Sequence, residues 1–176
     1  MILGAYWSPR RETEEAAASL VATFLREIGR IDIELEAWFP TSKSPSRARA
    51  LGKLDAAAIR PYLRRIRTDT DRRPVEDLGW QVSLWNGHDA SLRATLGLFA
   101  AGQSNAVTLS FTSRARALSI REQQEILRVM IRTFDPDHAV ATSSHALDAA
   151  GARHPWEAGW IRYERGGDLR ANGVTP

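Results

Sequence analysis

The stretch that decides the fold is LGWQVSLWNGHDASLRATLGLF, residues 78–99. Apolar and polar residues alternate along its first eight positions, the turn-like tetrapeptide NGHD follows, and the alternation then resumes. A period of two is typical of a strand with one buried face, and Asn-Gly is a strong signal for a tight turn. Together with the AVTLSF run that follows a second polar turn, the stretch predicts a meander of strands over 78–85, 91–100 and 106–112.

A helix is predicted between the first strand and the rest of the chain. Ser8-Pro9 has the composition of a helix start, since serine caps the free N–H groups and proline fits the first helical position. Apolar residues then recur at three- and four-residue spacing over 17–28, and Gly29 is expected to end the helix.

Two more helices are predicted further along. One is expected to start at Pro61 and to stop within the polar run TDTDRRP. The other has a capping box, in which Ser119 and Glu122 satisfy each other's backbone donors, and it should end at Asp135-Pro136.

Four segments outside the meander are predicted as strands: 2–7, 31–39, 138–144 and 159–164. The second of them, IDIELEAWF, alternates in the manner of a half-buried strand. The resulting order is β-α-β-α-β-β-β-α-β-β. This order indicates an α+β fold, with three helices laid on a mainly antiparallel, mixed sheet.

The chain is expected to form one domain over residues 1–165, with a polar tail at 166–176 that has no element of its own. It contains no cysteine, which excludes disulfides and thiolate metal sites and fits a reducing compartment. There is no pattern of a secretion signal and no apolar run of the roughly 18 residues needed to span a bilayer. We therefore expect a cytoplasmic protein that does not contact membranes.

Positive charge is concentrated in residues 43–73, which hold ten basic residues against three acidic ones. Such a segment permits contact with nucleic acid. Its only aromatic residue is Tyr62, however, and single-stranded nucleic acid needs more stacking partners, so a solvated face is the favoured interpretation and no specific nucleic-acid site is expected. The alternative function is nucleic-acid binding through Arg47, Arg49, Arg60, Arg64, Arg65 and Arg67.

The sequence contains no recognisable catalytic, metal-binding or phosphate-binding motif. The four histidines form no zinc-binding pair, and neither a nucleophile elbow nor a phosphate-binding glycine loop is present. The DPDH tetrapeptide at 135–138 lies between a predicted helix and a strand, where a turn is the simpler interpretation. No catalytic residue, metal or cofactor is predicted, and an unrecognised hydrolase remains an alternative.

The tryptophans offer a second kind of signal, because the phase of each strand predicts which side chains point inward. Trp80 is in phase with the apolar positions of its strand, whereas Trp38, Trp85 and Trp160 share a face with polar neighbours. Tryptophan is enriched at the energetic centres of interfaces, and burial under a helix or loop is the alternative for each ring. Trp7 is expected to pack beneath the first helix.

Five segments in this order resemble the Immunity protein 52 family: MILGAYWSPRRE, LGWQVSLWNG, NAVTLSF, FDPDHAVATS and WEAGWIRYE. The resemblance implies a non-enzymatic inhibitor that binds a toxin domain, encoded by a neighbouring gene and associated with nucleases of the restriction-endonuclease type. It also raises two possible modes of inhibition. Either an acidic strand face formed by Asp32, Glu34 and Glu36 mimics nucleic acid, or inhibition works elsewhere on the toxin.

The predicted toxin-binding residues combine outward aromatics with charges of both signs, the mixture that protein interfaces use. They are Arg10, Arg11, Glu34, Glu36, Trp38, Trp85, Asn86, Trp160 and Arg162.

Overall fold

The computed structural model describes residues 1–41, 49–66, 78–100, 103–112 and 118–171. Within these ranges the chain forms one antiparallel sheet of nine strands. The strands are β1 (Ile2–Trp7), β2 (Phe39–Pro40), β3 (Arg64–Arg65), β4 (Trp80–Trp85), β5 (Ala90–Leu96), β6 (Asn105–Phe111), β7 (His138–Thr142), β8 (Ile161–Glu164) and β9 (Arg170–Ala171).

The described ranges contain four α-helices, which are α1 (Glu14–Ile31), α2 (Ala56–Ile59), α3 (Ile120–Phe134) and α4 (Ser144–Ala150). Short 3-10 turns occupy Ile33–Leu35, Arg60–Tyr62 and Pro155–Glu157. The α+β class is thus confirmed, with one helix more than predicted. None of the described helices combines the length and the apolar character that a membrane crossing needs.

The strands lie in the order β2-β4-β5-β6-β1-β7-β8-β9, and β3 also pairs with β4. The predicted meander is confirmed, because β4, β5 and β6 are consecutive neighbours. The N-terminal strand β1 lies in the middle of the sheet, between β6 and β7. Since α1 and α3 pack against each other and α3 also packs on β1 and β7, the two long helices cover one face.

The first helix begins and ends later than the sequence predicted. Thr13 is its N-cap and accepts a hydrogen bond from Ala16 N at 3.1 Å, so Ser8-Pro9 belongs to the preceding loop. Gly29 stays inside the helix, which continues to Ile31. Two acids in the first turn favour this start because they lie near the positive end of the helix dipole.

The predicted strand over 31–39 is wrong. Asp32 ends α1 and then caps a 3-10 turn, where its carboxylate accepts from Glu34 N at 3.1 Å. Ile33 is therefore 74% exposed, although strand alternation placed it inward. Only two residues, Phe39 and Pro40, join the sheet. The acidic strand face proposed as a nucleic-acid mimic consequently does not form.

Other local elements also depart from the sequence prediction. Asp55 caps a short helix that begins before Pro61 and passes into a 3-10 turn. The helix α4, capped by Ser143, was not predicted. The segment after residue 166 contains β9, which pairs with β8, instead of lacking any element. By contrast, the capping box of Ser119 and Glu122 on α3 is confirmed.

Candidate functional site

The predicted toxin-binding residues do not form one surface. Asn86 follows β4, and its amide donates to Glu34 O at 3.3 Å at one end of the sheet. Arg10 lies at the other end, where its backbone N–H donates to Leu98 O beyond β5 at 2.9 Å. Arg162 is in β8, five strand positions from β4, a separation of roughly 24 Å at the usual strand spacing.

Two of the predicted interface tryptophans are part of the core. Trp38 is fully buried, and its indole N–H donates to Leu35 O at 2.7 Å. Trp160 is 6% exposed and donates to Gln123 Oε1 on α3 at 2.7 Å. The expectation that they lie on an exposed face is wrong, since Trp38 is not in a strand and Trp160 precedes β8.

Asn86 is also buried and has a role within the turn after β4. Its side-chain oxygen accepts from His88 N at 3.0 Å and from Ala90 N at 2.8 Å, which closes the predicted NGHD turn. Trp85 remains partly exposed and packs against Phe39, with ring centroids 5.6 Å apart. Its predicted position on the face shared by Gln81 and Ser83 is confirmed by the alternating burial of β4.

The loop between β1 and α1 is held to several other elements by hydrogen bonds. The buried side chain of Asn105, at the start of β6, donates to Ser8 O and Leu98 O, each at 3.1 Å, and accepts from Leu98 N at 2.8 Å. The indole of Trp80 donates to Glu12 O at 3.3 Å. The loop also lies against Gly97, where an added Cβ would come within 3.2 Å of three Glu12 atoms and where φ is +72°. A loop without regular structure is therefore fixed in place.

Arg10 and Arg11 leave this loop in different directions and have different surroundings. The guanidinium of Arg10 bonds to Glu12 at 2.8 Å and to Phe134 O, at the end of α3, at 3.0 Å. It also lies 5.6 Å from the centre of the Trp7 ring. Arg10 thus ties the loop to α3. Trp7 is buried, as predicted, but the ring on which it stacks is Phe134 at the end of α3 and not a residue of the first helix.

Arg11 lies instead over an exposed ring. Its guanidinium carbon is 4.7 Å from the centre of Phe99, whose side chain is 47% exposed just beyond β5. A second pair of the same kind is adjacent, because Arg65 in β3 lies 4.5 Å from the centre of the Trp80 ring. Arg11, Arg65 and Trp80 line a common hollow of about 440 Å³.

We call the four residues Arg11, Phe99, Arg65 and Trp80 the arginine–aromatic edge. The sequence predicts Arg11 as a toxin-binding residue, but it places Trp80 in phase with the core and Arg65 in a predicted helix with a solvated face. Trp80 is partly buried against the core, and its ring also carries Arg65. The sequence offers no signal for this position, because the strand predicted from it starts at residue 78 and only the structure shows that Trp80 is the first residue of β4.

The sheet face opposite the long helices carries other groups. Trp156 lies between two imidazoles, with ring centroids 5.0 Å from His138 and 4.5 Å from His154, nearly parallel to both. Tyr6 packs beside it at 5.2 Å, and burial raises the pKa of Tyr6 to about 12. Within the described ranges no three acidic or histidine side chains are grouped so as to hold a metal ion.

The DPDH segment forms the predicted connection between α3 and β7. Asp137 accepts from the backbone and hydroxyl of Ser8 at 2.7 and 2.6 Å and pairs with Arg165 at 2.9 Å. Burial alone would raise the pKa of Asp137, but the bonds from Ser8 and the charge of Arg165 outweigh it and lower that pKa. These contacts join the ends of β1, α3 and β8.

Only part of the predicted basic segment lies within the described ranges. Residues 43–48 and 67–73, which include Arg47 and Arg67, lie outside them. Arg60 pairs with Glu14 at 3.4 Å and with Glu15 at 3.7 Å on α1. Arg64 and Arg65 form β3, so this part of the segment belongs to the sheet.

Comparison with known proteins gives one family. The family model described as Immunity protein 52 matches residues 1–166. No curated protein matches the chain.

Proposed function

We propose that this chain, which belongs to the Immunity protein 52 family, neutralises a cognate toxin by forming a stable stoichiometric complex with it. The observation that carries the proposal is the family match, which extends over residues 1–166 and therefore over every long element of the fold. The toxin we propose is a nuclease of the restriction-endonuclease type, encoded by a neighbouring gene. The immunity protein acts in the cytoplasm of the producing cell, without a cofactor.

The fold supports a role in binding because it supplies a rigid scaffold. The central strands are paired on both sides, and the β1–α1 loop is fixed by bonds to β4, β6 and α3. A surface held in its bound shape before association loses little conformational entropy on binding, and this favours high affinity.

The alternative function, nucleic-acid binding through the basic segment, is supported less well by the described residues. Arg60 is engaged by two carboxylates of α1, and Arg65 lies over Trp80. Such arginines are less available for phosphate groups than a row of solvated cations would be.

The test is co-expression of this protein with the toxin domain from the adjacent gene. We expect growth to be rescued and the two proteins to co-purify at a fixed ratio. A matched control is the same immunity gene with an early stop codon, which should restore toxicity. If the toxin remains lethal while both proteins are present at normal levels, the proposed function is wrong.

A further inference from the structure

We propose that the groove between α1 and α3 is the surface that binds the toxin, and that its occupant is an amphipathic helix of the toxin with carboxylates along one side. This inference rests on the proposed function and adds the location of the contact and the chemistry of the bound segment.

The α1–α3 groove is a hollow of about 700 Å³ between the two long helices. Its apolar lining comes from Ala16 and Leu20 on α1 and from Val129 on α3. Ser19 also lines the hollow and is exposed. Binding pockets commonly measure about 300–1,000 Å³, so the groove has room for several side chains of a partner.

The two helices that form the groove are held against each other at one end. Phe24 on α1 packs against Phe134 on α3, with ring centroids 5.4 Å apart. The guanidinium of Arg10, which also lines the groove, donates to Phe134 O at 3.0 Å. Core contacts therefore set the width of the groove before a partner arrives, and this lowers the entropic cost of binding.

The walls of the groove favour a helical occupant. Both walls are helices, so the groove offers no strand edge with which an extended segment can pair. An extended segment would leave its own N–H and C=O groups unpaired against Leu20 and Val129, and buried unpaired groups are costly. A helix satisfies these groups internally and presents apolar side chains at three- and four-residue spacing.

The charges along the groove differ between its two sides. On the α1 side, Glu12 pairs with Arg10 at 2.8 Å and Glu27 pairs with Arg30 at 2.6 Å, so the acids there are compensated. On the α3 side, Arg132 lines the groove and is exposed. It has no hydrogen bond or ion pair with any residue that the structure describes.

Arg128 extends this positive side by one helical turn. It lies four residues before Arg132 and therefore on the same side of α3. It is exposed, and the described part of the chain gives it no bonded partner either. Asp135, just beyond α3, bonds instead to Arg165 at 3.0 Å. Two arginines one turn apart match two carboxylates one turn apart on another helix.

An amphipathic helix supplies both features that the groove requires. Its apolar row packs against Leu20 and Val129, while its carboxylates pair with Arg128 and Arg132. Phosphate groups can also pair with the two arginines, but a sugar–phosphate backbone has no apolar side chain to fill the hollow beside them. The apolar lining thus distinguishes an acidic helix from nucleic acid.

The test measures the affinity of the full chain for the toxin domain, purified with its active site inactivated. Arg128→Glu and Arg132→Glu reverse the charges on the α3 side, and Ser19→Trp obstructs the groove from an exposed position of α1. We expect each variant to bind about tenfold more weakly than wild type, and the double charge reversal about a hundredfold more weakly.

Matched controls carry the same kinds of change elsewhere. Arg170→Glu reverses an exposed arginine of the edge strand β9, and Gln124→Trp places the new ring about 140° around α3 from Val129. Both should bind within about threefold of wild type. Melting temperatures identify variants that fail to fold. The pair Arg128→Gln and Arg132→Gln, which keeps good helix formers, then replaces the charge reversals, with a loss of about tenfold expected.

A charge exchange tests the chemistry of the partner. Acidic residues on the exposed helices of the toxin are changed to arginine one at a time. At least one such toxin variant should bind the double variant Arg128→Glu/Arg132→Glu more tightly than the unchanged toxin does, because the charges are again complementary. If no toxin variant does so, the partner does not present its carboxylates to α3, and the inference is wrong.

Wild-type affinity in all of the groove variants would overturn the inference and leave the proposed function intact. No binding by the wild-type protein would overturn the proposed function itself. Retention of a short DNA or RNA duplex at physiological salt, lost on charge reversal, would assign the two arginines to nucleic acid. A dimer of this chain that Ser19→Trp disrupts would assign the groove to a second copy. Either of these last results would overturn the inference.

Discussion

The indole N–H of Trp160 donates to the side-chain oxygen of Gln123 at 2.7 Å, and both residues are buried. The amide nitrogen of Gln123 donates in turn to Leu118 O at 2.8 Å. One glutamine on α3 therefore holds the start of β8 and the segment before the helix. Because Trp160 and Gln123 are far apart in sequence, this bond fixes the position of β8 relative to α3.

Replacing Gln123 by leucine keeps its approximate volume and leaves the Trp160 N–H without its acceptor. We expect a loss of about 1–3 kcal/mol in the free energy of unfolding, the usual cost of a buried unpaired donor. Urea denaturation of Gln123→Leu measures it. In Trp160→Phe the donor is absent, so the same glutamine substitution should cost less there; an equal cost in both backgrounds would show that the bond contributes nothing.

Trp38 and Trp85 allow the stability contribution of a buried tryptophan to be compared with that of a partly exposed one. Trp38→Ala removes a fully buried ring, and we expect a loss of about 3–5 kcal/mol in unfolding free energy. Trp85→Ala should cost clearly less, because its ring is partly exposed and packs mainly against Phe39. Denaturant midpoints of the two variants test this order, and a greater loss for Trp85→Ala would contradict the burial described above.

The comparison of Trp38 with Trp85 also shows how far the sequence predicts this structure. Both residues alternate with apolar neighbours in the sequence. The alternation is correct for Trp85 because β4 pairs with β5 along its length and with β2 and β3 at its two ends. It fails for Trp38 because Asp32 satisfies a backbone donor locally and turns the chain away from extended structure. A local hydrogen bond thus outweighs the periodicity.

The candidate site was predictable only in part, for a similar reason. Arg11 follows a recognisable strand and was identified. Arg65 and Trp80 are separated by 15 positions, and only the pairing of β3 with β4 places the guanidinium over the indole. Contacts of this kind depend on strand register, which a single sequence does not reveal for a two-residue strand.

Truncation of Arg10 should destabilise the fold more than truncation of Arg11. Arg10→Ala loses the bond to Phe134 O at the negative end of the α3 dipole, and we expect a destabilisation of about 1 kcal/mol. Arg11→Ala should change the melting temperature less, since its guanidinium lies over an exposed ring. Thermal melts of the two variants at equal concentration test this order. A larger drop in melting temperature for Arg11→Ala than for Arg10→Ala would contradict it.

The stability of the fold should depend on the ionisation of Asp137 at acid pH. Its pKa is lowered in the folded state, so the ionised carboxylate contributes stability above the unfolded-state pKa of about 3.9, and this contribution is lost as the pH falls through the lower folded-state pKa. Asp137→Asn removes the titrating group. The stability difference between wild type and variant should therefore be constant near neutral pH and shrink below about pH 4.

Denaturant titrations at several pH values measure that difference. A difference for Asp137→Asn that persists unchanged to pH 2 would mean that the contacts with Ser8 and Arg165 do not depend on the charge of the carboxylate.

The central claim is that this family member neutralises its toxin by binding and not by catalysis. The most direct measurement is a titration of the purified immunity protein into a fixed amount of the active toxin, with DNA cleavage by the toxin as the readout. We expect toxin activity to fall in proportion to the added protein and to end at a fixed molar equivalence that does not change with incubation time. Loss of all toxin activity at a small fraction of an equivalent, progressing with time, would show turnover and would contradict inhibition by binding.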